Sequence, residues 1–148
     1  MTPFFETEGE RASLQSLTWG RKSDWIPTFC GTAGSLAVEG MLLAPVGERG
    51  FLYQLTVRST SDKPLSSTFG LEGCWASAWH CVNEDKEIDG ARRCYTSLWN
   101  DSLIFDMRCG LPLFAFAPMM DQPCSSTFQE TDAGIVYRLA HACTLEPG

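Results

Sequence analysis

The chain has 148 residues, 44% of them apolar and 20% charged, with a formal net charge of −7. That composition is globular rather than disordered, and the length suits one domain able to bury about 70% of the surface that its unfolded form exposes. The acidic balance, with no basic stripe to displace counterions, excludes a phosphate-backbone partner, so no nucleic acid is expected.

Residues 1–33 carry few signals: Leu14, Leu17 and Trp19 suggest a short or irregular strand, and Gly20-Arg21-Lys22-Ser23-Asp24 reads as a turn. The N-terminus carries Glu6, Glu8, Glu10 and Arg11 and no apolar run of signal-peptide or membrane-spanning length. Seven cysteines leave at least one unpaired in a monomer. Free, mostly buried thiols in a reducing, cytoplasmic compartment are therefore expected, and no membrane association.

Ser35 to Ala44 is an apolar run closed by Pro45, a strand that leads into a Gly47–Gly50 turn. Phe51 to Thr60 alternates cleanly, with Phe51, Tyr53, Leu55 and Val57 on one face and Gln54, Thr56 and Arg58 on the other. Ser61-Asp62-Lys63-Pro64 has turn chemistry, from which Leu65 to Glu72 is expected to return as the second strand of an antiparallel hairpin.

The segment Gly70 to Asn100 holds Trp75, Trp79 and Trp99, three of the five tryptophans. Gly70 and Gly73 argue for a strand with a bulge through Trp75 and against a helix. Asn83 to Gly90 is expected to be a loop, with Asp89-Gly90 as its turn pair. Cys94 to Trp99, Ser102 to Arg108 and Leu111 to Ala117 read as short strands, and Met119 to Glu130 as a polar connection. Gly134 to Leu145 alternates again, with Ile135, Tyr137, Leu139, His141, Cys143 and Leu145 on one face. About seven strands and no amphipathic helix indicate an all-β fold: an antiparallel β-sandwich, or alternatively a small closed β-barrel. The domain is taken to span 1–148. The closing Pro147-Gly148 has turn chemistry, as in a fragment or accessory domain of a longer chain.

Indole rings stack on the apolar faces of sugars and other flat ligands, which makes Trp75, Trp79 and Trp99 the candidate binding residues. Asn83, Glu84, Arg92 and Asn100 supply the polar groups such a site needs. Acid–base chemistry, if present, would draw on Glu72, His80 or Glu84, because glycoside hydrolysis needs two carboxyl groups about 5–9.5 Å apart. Run against this is the ordinary reading of Glu84, Glu87 and Asp89 as a solvated turn, and no catalytic residue is assigned to the domain itself. Arg92, Arg93 and Arg108 offer a local anion site at most. His80 and Cys81 are neighbours that point to opposite faces of a strand, and no Cys-x-x-Cys occurs, so no metal site and no cofactor are expected. Cys74 or Cys81 with His141 would make a nucleophile–base pair only if the fold joined them.

Several stretches resemble the N-terminal β-sandwich domain that precedes the (α/α)6-barrel catalytic domain of bacterial six-hairpin glycosidases. They are GERGFLYQLTVRSTSDKPL (47–65), GLEGCW (70–75), VNEDKEIDG (82–90), SLWNDSLIFD (97–106), GLPLFAFAP (110–118) and GIVYRLAHACTLEPG (134–148). In such enzymes the general acid and base lie on the barrel. The resemblance therefore implies a non-catalytic accessory domain that packs on, or shapes, a sugar-binding cleft, with a carbohydrate and an α-helical catalytic domain as partners. The alternative is a stand-alone β-barrel, cyclase- or isomerase-like, that binds or transforms an apolar small molecule. Its pocket would be lined by Trp75, Trp79, Phe105 and Phe114, with Glu72 or His80 as acid–base group. A pure interaction module that pairs with a second copy through an edge strand is the third reading.

Overall fold

A computed structural model describes residues 1–48, 50–75, 80–81, 87–88, 93–99, 102–106, 114–116 and 124–148. Among them there is no helix. The strands are β1 (Thr2–Thr7), β2 (Glu10–Ala12), β3 (Leu14–Lys22), β4 (Ile26–Ala33), β5 (Leu36–Leu43), β6 (Leu52–Ser59) and β7 (Leu65–Trp75), then β8 (His80–Cys81), β9 (Glu87–Ile88), β10 (Arg93–Thr96), β11 (Leu103–Asp106), β12 (Phe114–Phe116), β13 (Ser125–Thr131) and β14 (Gly134–Leu145). Their sheets run β13-β14-β7-β1-β2, β10-β11-β12, β3-β4-β5-β6 and β8-β9.

This is the expected all-β, antiparallel, sandwich-type fold. The closed-barrel alternative does not hold, because the sheets end in edge strands and none returns to its first strand. A barrel needs continuous pairing around a ring. Here the apolar faces are buried by stacking one layer on another instead.

The chain gathers into two compact units, Met1–Pro3 with Gly70–His141 and Phe4–Phe69 with Ala142–Gly148. In the second of these, β3 to β6 form a meander whose turns follow from local chemistry. Gly34 and Ser35 make a two-residue hairpin loop between the paired Ala33 and Leu36, and Gly34 has φ +59°. Ser23 and Asp24 take positive φ between β3 and β4, as short polar side chains tolerate. The turn therefore begins at Ser23, and Gly20, Arg21 and Lys22, expected within it, extend β3. The inward faces of the meander supply Phe29, Ala33, Leu36 and Val38, with Tyr53, Leu55 and Val57 packed alongside. Phe5, Leu65, Phe69 and Leu145 join the same core from β1, β7 and β14.

The expected hairpin between β6 and β7 is not formed, since β6 belongs to the meander and β7 to the other sheet. The Thr60 N–H donates to the Ser35 carbonyl (2.9 Å), which pins the exit of β6 beside the β4–β5 turn. Ser61-Asp62-Lys63 then carries the chain across to the facing layer. Crossing lets β6 and β7 bury their apolar residues against each other's layer, which a flat hairpin cannot do.

In the first unit, β10 to β12 form a small antiparallel sheet. Cys94, Leu103 and Phe105 from it share a core with Ile135, Tyr137 and Leu139 of β14, and Trp75 and Cys124 pack against that core. β14 alternates as the sequence indicates, with Ile135, Tyr137, Leu139 and His141 buried and Val136 exposed. Two strands lie where none was expected. Ser125–Thr131, inside the supposed connection, pairs along its whole length with β14, and Glu87-Ile88, inside the supposed loop, pairs with His80-Cys81.

Candidate binding surface

Trp75 ends β7 and is half-buried. Its ring meets Phe105 edge-on, with centroids 5.2 Å apart and planes at 76°, and Phe105 meets Tyr137 in the same manner at 5.1 Å and 72°. Edge-to-face pairs of this kind add about 0.5–1.5 kcal/mol each beyond the area they bury. Gly73 makes room for the third ring: a Cβ there would stand 2.5 Å from the Tyr137 hydroxyl oxygen. Burial raises the Tyr137 phenol above its ordinary value, and the neighbouring Cys74 adds to the shift. Trp75 and Phe105, two of the four residues assigned to an apolar pocket, thus pack directly on one another, and Phe105 is 1% exposed. Little of this cluster is open to a ligand.

Trp99 has the opposite setting. It sits in the turn between β10 and β11, where the Ser97 N–H donates to the Ser102 carbonyl (2.8 Å) and the Trp99 N–H donates to Ser97 Oγ (3.2 Å). The indole is 90% exposed beside a fully exposed Leu98. An indole in water offers a face on which a planar or sugar-like surface can stack.

Glu72 is half-buried on β7, and His141 is buried on β14. Cys74 is exposed, with its Sγ directed at the Ala133 carbonyl (3.8 Å). His80 pairs through its backbone with Ile88. Trp79, Asn83, Glu84, Arg92 and Asn100 lie outside the described residues. Of the residues singled out from sequence, Trp75 and Trp99 therefore fall in one compact unit, one packed into its core and one displayed at a turn. Among the described residues no cluster of three His, Cys, Asp or Glu side chains is suited to a metal ion. No helix among them is long and apolar enough to cross a membrane.

One feature of the other unit was missed. The outer face of the β3–β6 meander has an open depression of about 200 Å3 lined by Lys22, Thr28, Glu39, Met41, Gln54 and Thr56. The alternation along β6 had put Gln54, Thr56 and Arg58 together on a polar face, but the residues opposite them on β4 and β5 emerge only from the register.

No protein-family model, curated protein or solved structure matches the chain.

Proposed function

We propose that this chain is a non-catalytic β-sandwich accessory domain of a carbohydrate-active enzyme, packing on or shaping a sugar-binding cleft. The observation that carries the reading is Trp99, an almost fully exposed indole mounted on a hydrogen-bonded turn of an all-β framework. Stacking on a pyranose face rewards such a ring, whereas leaving it in water has no structural benefit. Further support comes from the resembling stretches, of which 47–65, 97–106 and 134–148 include strands β6, β11 and β14, and 70–75 the end of β7. The sequence assigns Trp79, Asn83, Glu84, Arg92 and Asn100, which lie outside the described residues, to the same proposed ligand site. Cys30, Cys74, Cys94, Cys124 and Cys143 are free thiols, which supports a reducing, cytoplasmic setting, although only Cys94 is buried and the expectation of mostly buried thiols does not hold among them.

The test is to read the full open reading frame, express it, and assay it for glycoside hydrolysis with and without Trp99→Ala. The expected result is a catalytic α-helical domain in the same chain, no turnover by residues 1–148 alone, and a loss of about three- to tenfold in kcat/KM for the variant, the worth of one stacking contact. Turnover by the 148-residue chain, or a reading frame without a catalytic partner, would sink the proposal.

A further inference from the structure

The outer face of the β3–β6 meander carries a second, unassigned feature. Cross-strand register aligns Gly20, Thr28, Met41 and Gln54 in one row, and Thr18, Cys30, Glu39 and Thr56 in the next. Opposed side chains in such rows stand about 4.5–5.5 Å apart, close enough for one small ring to touch several at once. The strand neighbours Phe29, Val38, Leu55 and Val57 point into the core, so these rows face water. Gly20 ends the first row without a side chain, and Thr28 Oγ1 lies 3.1 Å from where its Cβ would be. Between these rows lies the open depression of about 200 Å3, to which the Gly40 backbone also contributes.

Its chemistry is specific. Lys22 offers an ammonium donor, Glu39 a carboxylate acceptor, Gln54 both, and Thr28 and Thr56 hydroxyls that donate or accept. The lining charges cancel, which disfavours a phosphate or other anion. Met41 is the one large apolar side chain of the lining and offers a surface for the apolar face of a ring. Arg58, diagonal to Glu39 on β6, reaches its carboxylate at 3.9 Å and so biases its orientation. A neutral ligand with many hydroxyls, each able to donate and accept, matches this set.

We propose that the outer face of the β3–β6 meander is a saccharide-binding site, in which Thr28, Glu39, Gln54 and Thr56 hydrogen-bond one pyranose unit over Met41. The inference rests on the carbohydrate reading above but assigns a surface other than the Trp99 turn. Its test is amide chemical-shift titration of the isotope-labelled 148-residue chain with neutral hexasaccharides of glucose, xylose and mannose. The comparison is a Thr28→Val/Thr56→Val variant, which retains β-branched side chains and hence strand propensity. Binding should shift the amides of residues 28, 39–41, 54 and 56. The double variant should bind at least about fivefold more weakly, the worth of one lost hydrogen bond. Shifts confined to residues 93–106, with affinity unchanged in the variant, overturn this site and leave the accessory-domain reading standing. No shift with any of the sugars overturns it as well, and the accessory-domain reading then stands or falls on the reading-frame experiment.

Discussion

Two residues illustrate how tightly local chemistry is tied to packing here. Gly40 lies opposite Phe29 across the β4–β5 ladder, and the Phe29 ring lies where a Cβ at position 40 would be built. Gly40→Ala must push that ring off the strand, and should destabilise the fold by about 1–3 kcal/mol. Urea unfolding with an unchanged slope would read this directly, and an unchanged midpoint would show that the ring moves freely. Cys94 is the second case. Burial, with the charge of Glu130 adding to it, raises its thiol from an ordinary 9.0 to about 11. The native state therefore holds this proton where the unfolded chain has released it, so the contribution to stability is complete below pH 9 and is lost as pH rises towards 11. In alkylation at pH 8 followed by peptide mapping, the exposed Cys30 and Cys74 should be modified first and Cys94 only on unfolding. Modification of Cys94 as fast as Cys30 would refute the burial argument.

Among the elements, those with strong period-2 alternation were readable from sequence. β6 and β14 are where the alternation places them to within a residue or two, with the expected faces except at Phe51, which lies exposed just before β6. β13 escaped because it is an edge strand exposed along nearly its whole length, so it carries no apolar alternation. Its signals were subtler: the Thr127-Phe128 pair and the turn after Thr131, whose Oγ1–H donates to the Gly134 carbonyl (2.8 Å). A polar edge also resists pairing with a second copy. The β6–β7 connection was misjudged for another reason, since turn residues specify a reversal but not the sheet that the next strand enters. Within the first unit, Phe105 is the ring on which β7, β11 and β14 meet. Phe105→Ala should cost about 3–5 kcal/mol. In native-state hydrogen exchange it should strip protection from β10, β11 and residues 134–141 of β14. Retained protection there would mean that the Trp75–Phe105–Tyr137 stack is not what holds these strands.

For the whole molecule, nothing in the sequence marks Phe69/Gly70 as a place where the chain passes from one compact unit to the other, because β7 runs through it without a break. Each unit is a layered arrangement with its own buried cluster, one built around Phe5, Leu36 and Val38 and the other around Leu103, Phe105 and Tyr137. The division of the tryptophans was equally hidden. Trp75 and Trp99 carry the same side chain and were read alike, yet one packs into a core and the other stands in water.

The sequence by itself determined the all-β class and the positions of the strongly alternating strands. Both depend on local period, which the chain carries residue by residue. Tertiary structure alone decided which sheet each strand joined, that no barrel closed among the described residues, that Trp99 and not Trp75 reached solvent, and that Lys22, Thr28, Glu39, Gln54 and Thr56 came to line one depression. Those outcomes depend on register between strands distant in sequence, and register is set by the burial of whole faces rather than by any single stretch.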